Sequence, residues 1–217
     1  TAIKGWGETI RDAGGDADLT QKGVEVIIKE SERLSGIVED LLDFSRIQNG
    51  QLSFQMIQCD LVAELSEAVL TFTDIAHRSG VELLFEERDD IPLIQGDGAR
   101  LQQVFVNVID NAIKYTPQGG KILVDIRMQG GKVVVMISDT GCGIPEDELQ
   151  KVTQKFYKGK KATRGSGIGL AVAEEIIKKH GGLLDVASTE HVGTTVTITL
   201  PVTQKADGGE IAAGISK

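Results

Sequence analysis

The 217-residue sequence is poor in aromatic side chains, which make up 4% of it. A core must therefore be built mainly from isoleucine, valine, leucine and alanine. No apolar run in these residues is long enough to cross a membrane, and none is predicted to be a signal peptide. The two cysteines, Cys59 and Cys142, are far apart in the sequence, which predicts reduced thiols and a cytoplasmic protein.

Basic residues are outnumbered by acidic ones, 23 to 32, and the net charge is −9. This balance argues against nucleic acid and against an anionic membrane surface as the main partner. The length suits one or two domains. The chain starts at Thr1 inside a predicted helix, without an initiating methionine, which is typical of a fragment of a longer protein.

Two helices are predicted at the start of the chain. The first covers residues 1–12 and ends at the turn formed by residues 13–16. Asp18 or Thr20 is predicted to cap the second helix, which continues to about Gln48 and ends before an Asn-Gly pair.

A wide apolar stripe follows the second helix. Ile27, Leu34 and Leu41 are seven residues apart, and other apolar residues widen the stripe. This pattern is typical of an antiparallel helical hairpin, and its width suits a four-helix bundle formed by two copies. A plain helix pair within one chain is the alternative, but the first helix is too short to cover the second.

The rest of the chain alternates between helices and strands. Helices are predicted at 61–79, 98–115, 146–153 and 168–180, and strands at 81–87, 121–128, 132–138, 183–188 and 194–200, with a short strand at Ile94. We therefore predict an α+β fold, in which a helical hairpin precedes a two-layer α/β sandwich with a mixed sheet. The predicted domains are the hairpin at 1–48, a linker with a short strand at 49–60, the sandwich at 61–202 and a disordered tail at 203–217.

One predicted helix, Leu101–Tyr115, has an unusual polar face. Its apolar residues form a buried stripe, whereas Gln103, Asn107 and Asn111 fall four residues apart and stack on another face. Carboxamide oxygens suit Mg²⁺, and Lys114, one turn further on, suits a phosphate. The column predicts either a solvated surface or a site for a polar ligand.

Two motifs with glycines lie near the ends of predicted elements. DTGCGIP at 139–145 follows an apolar strand, so Asp139 is a fixed acceptor that suits an amine such as that of adenine. GSGIGL at 165–170 opens a helix, whose first N–H groups can bind an anion. Ordinary turns are the alternatives, and a Rossmann site is disfavoured because the second motif lies late in the domain.

The order of the motifs is more specific than any one of them. The chain contains in succession NVIDNAIKYTP, DTGCGIP, KFYKG and GSGIGLAVAEEIIKKHGG, and this order resembles the ATP-binding domain of sensor histidine kinases. That domain is one branch of the Bergerat-type fold shared with gyrase, MutL and the heat-shock-ninety chaperones. The first 48 residues, followed by NGQ, resemble the dimerisation and phosphotransfer hairpin of the same kinases.

The resemblance implies a function for the whole chain. It implies a homodimeric protein-histidine kinase of a two-component system that binds ATP and Mg²⁺. The γ-phosphoryl group would pass to a histidine of the dimeric stem and then to an aspartate of a response-regulator receiver domain. No nucleic acid and no membrane contact of these residues is implied.

The resemblance also assigns roles at the adenine end of the site. Asp139 is implied to accept a hydrogen bond from the adenine amino group, with Gly143 beneath the base. Thr195 is implied to support Asp139 through water, and Tyr115 to pack near the adenine or the ribose. From the same DTGCGIP motif, Gly141 and Ile144 are also implied to bind the nucleotide.

At the phosphate end, the metal ligand implied by the resemblance is Asn111. Asn107 is implied to bind a phosphate or a metal-bound water, and Lys114 to hold a phosphate. ATPases of this fold use a glutamate at the place of Asn107, and an amide is no base at neutral pH. The resemblance therefore implies slow hydrolysis, as in a kinase.

Residues 155–167 are basic and are predicted to form a mobile loop. By resemblance, Phe156 would anchor this loop as a lid, from which Lys158 or Lys161 would reach the γ-phosphate. The residues implied to wrap the phosphates are Gly165, Ser166, Gly167, Gly169 and Leu170.

The acceptor histidine of the family precedes the run that begins here at Thr1, so we expect it about seven residues upstream. His77, His180 and His191 all lie outside the predicted hairpin, and His180 ends a helix, a position that suits an imidazolium. We therefore expect this chain to bind ATP without phosphorylating itself. The alternatives are an ATPase or conformational clamp of the same fold, an anti-sigma-type serine kinase, and a non-catalytic dimerisation module.

Overall fold

The computed structural model describes residues 2–12, 14–48, 53–88, 90–152, 157 and 167–202. The helices are α1 (Ala2–Asp12), α2 (Ala17–Gln48), α3 (Leu61–Arg78), α4 (Gly98–Tyr115), α5 (Glu146–Leu149) and α6 (Gly169–Lys179). The strands are β1 (Ile57–Cys59), β2 (Glu82–Phe85), β3 (Ile94–Gly96), β4 (Lys121–Gln129), β5 (Lys132–Asp139), β6 (Leu183–Thr189) and β7 (Gly193–Pro201). The tail predicted at 203–217 lies outside the described residues.

Helices α1 and α2 form the predicted hairpin. Gly23 lets them approach closely, because a Cβ at this position would lie 2.7 Å from Ile10 Cδ1. The cap of α2 is Asp16, whose Oδ1 accepts a hydrogen bond from the Leu19 N–H at 3.0 Å. The predicted caps, Asp18 and Thr20, are wrong because α2 starts at Ala17, which places both inside its first turn.

Much of the apolar surface of α2 is exposed in the single chain, although Ile27 of the predicted stripe is half-buried. The exposed residues are Val24, Ile28, Leu34, Val38, Leu41 and Leu42, which are between 42% and 54% exposed. Monomeric proteins rarely leave a continuous apolar surface of this kind in water.

The sandwich contains, among the described residues, a five-stranded sheet with the order β2-β4-β5-β7-β6. Strand β2 is parallel to β4, and the other neighbours are antiparallel, which confirms the predicted mixed sheet. Helices α3, α4 and α6 each bury an apolar face in a common core with alternate residues of the strands. None of the described helices is both long and apolar enough to span a membrane.

The predicted linker is partly built into the sandwich. It contains the expected short strand, β1, which pairs with β3 in a second, antiparallel sheet. Just before β1, the Gln55 N–H donates to Asp97 Oδ2 at 3.0 Å. The predicted sandwich domain, which starts at residue 61, would therefore lack β1, a strand that belongs to its own fold.

Two helix ends differ from the prediction. Helix α5 was predicted to reach residue 153 but ends at Leu149, because the Lys151 N–H bonds the Glu148 carbonyl oxygen in a tighter turn. Helix α6 was predicted to include His180 but ends at Lys179, and His180 is its C-cap, whose Nε2 accepts a hydrogen bond from the Asp97 N–H at 2.9 Å.

The start of α3 provides a test of the fold next to β1. Asp60 Oδ1 accepts from the N–H groups of Val62 and Ala63 at 3.0 and 3.2 Å. Asp60→Ala is expected to lower the free energy of unfolding by about 1 kcal/mol, measured by urea denaturation. Asp74→Ala, on the exposed middle of α3, is the control and is expected to change it by less than about 0.5 kcal/mol. Equal effects of the two substitutions would contradict the capping role.

Candidate functional site

The site is organised around Asp139, the last residue of β5. The side chain is half-buried, and its Oδ1 accepts hydrogen bonds from the Gly141 N–H at 2.8 Å and the Thr194 N–H at 3.2 Å. No hydrogen bond reaches Oδ2 from the described residues. Burial raises the pKa of Asp139, and the bonds from Gly141 and Thr194 oppose this rise. The arrangement fixes the carboxylate and leaves one oxygen as an acceptor for a ligand.

Glycines let the loop after Asp139 pack closely. A Cβ at Gly141 would lie 2.6 Å from the Tyr115 carbonyl oxygen and 2.7 Å from Asp139 Oδ1. Gly143 has a φ of +62°, and a Cβ there would lie 2.0 Å from the Thr189 carbonyl oxygen. A side chain at either position would therefore displace backbone.

The same loop is tied to elements on both of its sides. The Cys142 N–H donates to the Tyr115 carbonyl oxygen at 3.1 Å, which joins the loop to the end of α4. The Ile144 N–H donates to Ser188 Oγ at 2.8 Å, which joins it to β6. The Tyr115 ring stands beside the loop and is 37% exposed, and partial burial raises the pKa of its hydroxyl.

The predicted support of Asp139 by Thr195 is wrong. Thr195 pairs with Ser138 across the sheet, and their hydroxyls lie 3.0 Å apart, whereas the partner of Asp139 is Thr194. Because side chains alternate between faces, Thr195 and Asp139 lie on opposite faces. Thr194 shares the face of Asp139 and donates its backbone N–H to the carboxylate.

Thr194 and Ser188 are the site residues that sequence reasoning missed. The sequence contained a signal for Thr194, because it lies two and four residues before the buried Val196 and Ile198 and therefore on the same face of β7. Ser188 Oγ donates to the Gly193 carbonyl oxygen at 2.9 Å and also lies 2.9 Å from Thr194 Oγ1. No local signal identifies Ser188, since its role depends on the pairing of β6 with β7.

The polar column of α4 faces the start of α6 at one position. Asn107 Nδ2 donates to the Gly169 carbonyl oxygen at 3.3 Å. Asn111 lies one turn further along α4 and is half-buried. Gln103, one turn earlier, accepts from Arg100 Nη1 at 2.9 Å, so the column divides into residues with different partners.

Lys114 is ion-paired on its own helix. Its Nζ contacts the carboxylate of Asp110, one turn earlier, and both side chains are about a third exposed. Exposed pairs of this kind are weak. A phosphate near the end of α4 can therefore compete with Asp110 for this ammonium group.

The start of α6 lacks a side-chain cap from the described residues. It begins after Gly167, which has a φ of +72°, and Ile168, which is 2% exposed. Its first backbone N–H groups, at Gly169 and Leu170, are therefore available to an anion.

The structure thus forms two groups of predicted residues. One group, Asp139 with the Gly141–Ile144 loop and Tyr115, lies where β5 meets the end of α4. The other, Asn107 with the first turn of α6, lies between the two helices. The predicted residues outside the described part of the chain are Phe156, Lys158, Lys161, Gly165 and Ser166.

Comparison with known proteins identifies the family. Residues 96–204 match the model described as histidine kinase-, DNA gyrase B- and HSP90-like ATPase. The chain belongs to this family. Residues 1–50 match the His Kinase A (phospho-acceptor) domain, so the predicted resemblance to sensor histidine kinases is confirmed for both parts of the chain.

Individual relatives agree with this assignment. The sensor histidine kinase WalK of Bacillus subtilis is 31% identical over 208 residues, which are 93% of this chain and 34% of WalK. The chain therefore spans about a third of that relative.

Solved structures show the same fold. ShkA, solved at full length in complex with AMPPNP, has a TM-score of 0.73 and 25% identity over 85% of this chain and 39% of its own. Histidine kinase ThkA, solved in complex with the response regulator protein TrrA, has a TM-score of 0.74 over 93% of this chain and 57% of its own. At 23% identity, the likeness to ThkA shows the fold alone.

The raised pKa of Asp139 predicts a pH-dependent cost to stability. Folded Asp139 holds its proton more tightly than unfolded Asp139, so proton binding stabilises the folded state. This stabilisation is complete below the unfolded pKa of about 4 and is lost as the pH rises through the folded pKa. Asp139→Asn removes the titration and keeps an acceptor for Gly141. Without nucleotide, the variant should gain stability relative to wild type as the pH rises from about 4 through the raised pKa of folded Asp139, as measured by chemical denaturation.

Asp185→Asn is the control for this measurement, because Asp185 is exposed on β6. Its stability relative to wild type should not change over the same range. If the wild-type protein instead became more stable relative to Asp139→Asn as the pH rises, burial would not be raising the pKa of this carboxylate.

Proposed function

We propose that this chain binds Mg·ATP and supplies the γ-phosphoryl group to a histidine on a dimeric helical stem, from which it passes to an aspartate of a response regulator. The observation that carries the proposal is Asp139, a fixed carboxylate beside a glycine loop, with one oxygen that accepts no hydrogen bond from the described residues. The family match adds that the domain belongs to the ATPases of this fold.

The adenine end follows from the hydrogen bonds of Asp139. Oδ1 is occupied by two backbone N–H groups, so Oδ2 is the atom that accepts from an exocyclic amine. The Gly141–Ile144 loop packs closely against Oδ1, because Gly141 carries no Cβ, and this leaves Oδ2 for the ligand. Tyr115 provides a half-exposed ring beside the loop for the base or the ribose.

The phosphate end follows from α4 and α6. The start of α6, which no described side chain caps, presents backbone N–H groups, and Lys114 can exchange its pair with Asp110 for a phosphate. In the described part of the chain, no three His, Cys, Asp or Glu side chains converge as a metal site. The donor set fits Mg²⁺, because this ion prefers one or two protein oxygens together with phosphate oxygens, and Asn111 provides such an oxygen. Bound there, Mg²⁺ would neutralise phosphate charge.

Asn107 favours transfer over hydrolysis. Its amide nitrogen donates to the Gly169 carbonyl oxygen, a bond that a carboxylate cannot make. An amide at this position cannot take a proton from water, so ATP is held for an external nucleophile. The protein's contribution is then to position ATP and to stabilise the charge that develops on the transferred group.

The hairpin is proposed to form the dimeric stem. Its exposed stripe on α2 needs a partner surface, and a second copy gives a four-helix bundle. The match of residues 1–50 to a phospho-acceptor domain supports this arrangement. A response-regulator receiver domain is the proposed partner, by analogy with the complex of ThkA and TrrA. Both cysteines are free thiols, which supports a cytoplasmic setting.

Asp139→Asn tests the adenine assignment. Asparagine keeps Oδ1 for the backbone bonds and places its NH₂ at the position of Oδ2, where it faces the adenine amino group. ATP affinity, measured by calorimetry with Mg²⁺, is expected to fall at least about a hundredfold. Asp185→Asn should bind as wild type does, and micromolar ATP affinity in Asp139→Asn would contradict the assignment.

A second measurement separates the kinase from an ATPase clamp. The chain alone should hydrolyse ATP at close to the uncatalysed rate, since Asn107 provides no base. With γ-labelled ATP, a helical-hairpin protein with an acceptor histidine should gain acid-labile phosphate when added to the chain. Rapid, steady turnover without that acceptor would favour the ATPase, and the absence of ATP binding would favour a dimerisation module.

A further inference from the structure

A chain of hydrogen bonds joins the segment before β1 to both helices of the site. The Gln55 N–H donates to Asp97 Oδ2 at 3.0 Å, and the Asp97 N–H donates to His180 Nε2 at 2.9 Å. His180 Nδ1 then bonds the Ile176 carbonyl oxygen at 2.8 Å. Asp97 is the N-cap of α4 and His180 ends α6. This series of hydrogen bonds therefore connects the segment before β1, α4 and α6, which are distant in sequence.

The surroundings of His180 hold its ring in one place. The residue is 6% exposed, and the Phe54 ring packs edge-on against it with 5.6 Å between the ring centroids. Gly96 makes room on another side, since a Cβ there would lie 3.2 Å from His180 Cδ2. Because both ring nitrogens have backbone partners, the ring sets the distance between the end of α6 and the start of α4.

Helices α4 and α6 are therefore bonded to each other at two places. The bond of Asn107 to Gly169 joins the middle of α4 to the first residue of α6, and the bond of Asp97 to His180 joins their other ends. At a rise of about 1.5 Å per residue, the two bonds are roughly 15 Å apart along each helix. A change at one bond must therefore move or strain the other, because the packed helices between them are stiff.

We propose that His180 is a positioning residue that couples the docking of residues 54–55 to the phosphate end of the nucleotide site. The inference rests on the proposed ATP site. When the segment before β1 is docked, Asp97 and His180 fix the helix pair, and Asn107 holds the first residue of α6 in place for the phosphates. The adenine end is held mainly by the sheet and its own loop, since Asp139 accepts from Gly141 and Thr194. Its backbone bond to α4, from Cys142 to Tyr115, lies at the opposite end of that helix from Asp97.

Three substitutions separate the hydrogen bond from packing. His180→Gln keeps an acceptor within reach of the Asp97 N–H, whereas His180→Leu keeps much of the volume and removes the acceptor. Asp97→Asn leaves His180 intact. Asp97 uses its two carboxylate oxygens to accept from the N–H groups of Arg100 and Gln55, whereas asparagine has only one side-chain oxygen to offer them. Circular dichroism and thermal unfolding identify any variant that fails to fold.

The first measurement is hydrogen exchange of the Gln55 amide without nucleotide, which is independent of ATP binding. Exchange should be at least about tenfold faster in His180→Leu and Asp97→Asn than in wild type, and close to wild type in His180→Gln. The second measurement is competition of ATP and of adenosine against a fluorescent ATP analogue. The ratio of ATP affinity to adenosine affinity should fall at least about fivefold in His180→Leu and Asp97→Asn, with adenosine affinity unchanged.

A merely structural role would change both affinities equally or neither of them, and either result in a folded His180→Leu protein would overturn the proposal. If that variant does not fold, an unchanged ratio in Asp97→Asn overturns it. Failure of His180→Gln to restore the ratio would also count against the hydrogen bond. Failure of the wild-type chain to bind ATP would instead overturn the proposed function, while the Gln55 exchange rates would still show whether His180 holds the segment.

Discussion

A carboxylate fixed half out of water at the end of β5 is the constraint on which the rest of the site depends. Both backbone hydrogen bonds to Asp139 end on the same oxygen, which turns the other towards a ligand. This geometry needs backbone within 3 Å on one side, and Gly141 makes that approach possible. The ties of the loop to Tyr115 and Ser188 then keep the carboxylate from rotating towards water.

The two ends of the site depend on different parts of the fold. The pairing of β5 with β7 fixes the carboxylate end, because it places the Thr194 N–H against Asp139. The packing of α4 on α6 fixes the other end, where Asn107 reaches Gly169. A sheet resists shear through many hydrogen bonds, whereas two helices are held by side chains and can shift by small amounts. The helix pair is therefore the part of the site that a distant event can reach.

Local patterns were enough to predict most of the fold and half of the site. The bounds of α4, the polar column that contains Asn107 and Asn111, and the position of Asp139 after an apolar strand all follow from short-range periodicity. The errors concern tertiary pairing. Thr195 was chosen without knowledge of the face of the sheet on which it lies. The partner of His180, the Asp97 N–H, is 83 residues away and gives no local signal. The pairing of β1 with β3 is also non-local, since all of α3 lies between them.

This pairing has a consequence for anyone who joins this catalytic domain to a different sensor or stem. Strand β1 and Gln55 belong to the catalytic fold, although they lie upstream of its first long helix. A chimera joined just before α3 would replace the partner of β3 with foreign sequence and would leave Asp97 Oδ2 without its donor. The natural junction lies between Gln48, the last residue of α2, and Phe54, the first side chain that packs against His180. In a hybrid protein, the number of residues placed between these two points would therefore set how α2 is rotated relative to the sandwich.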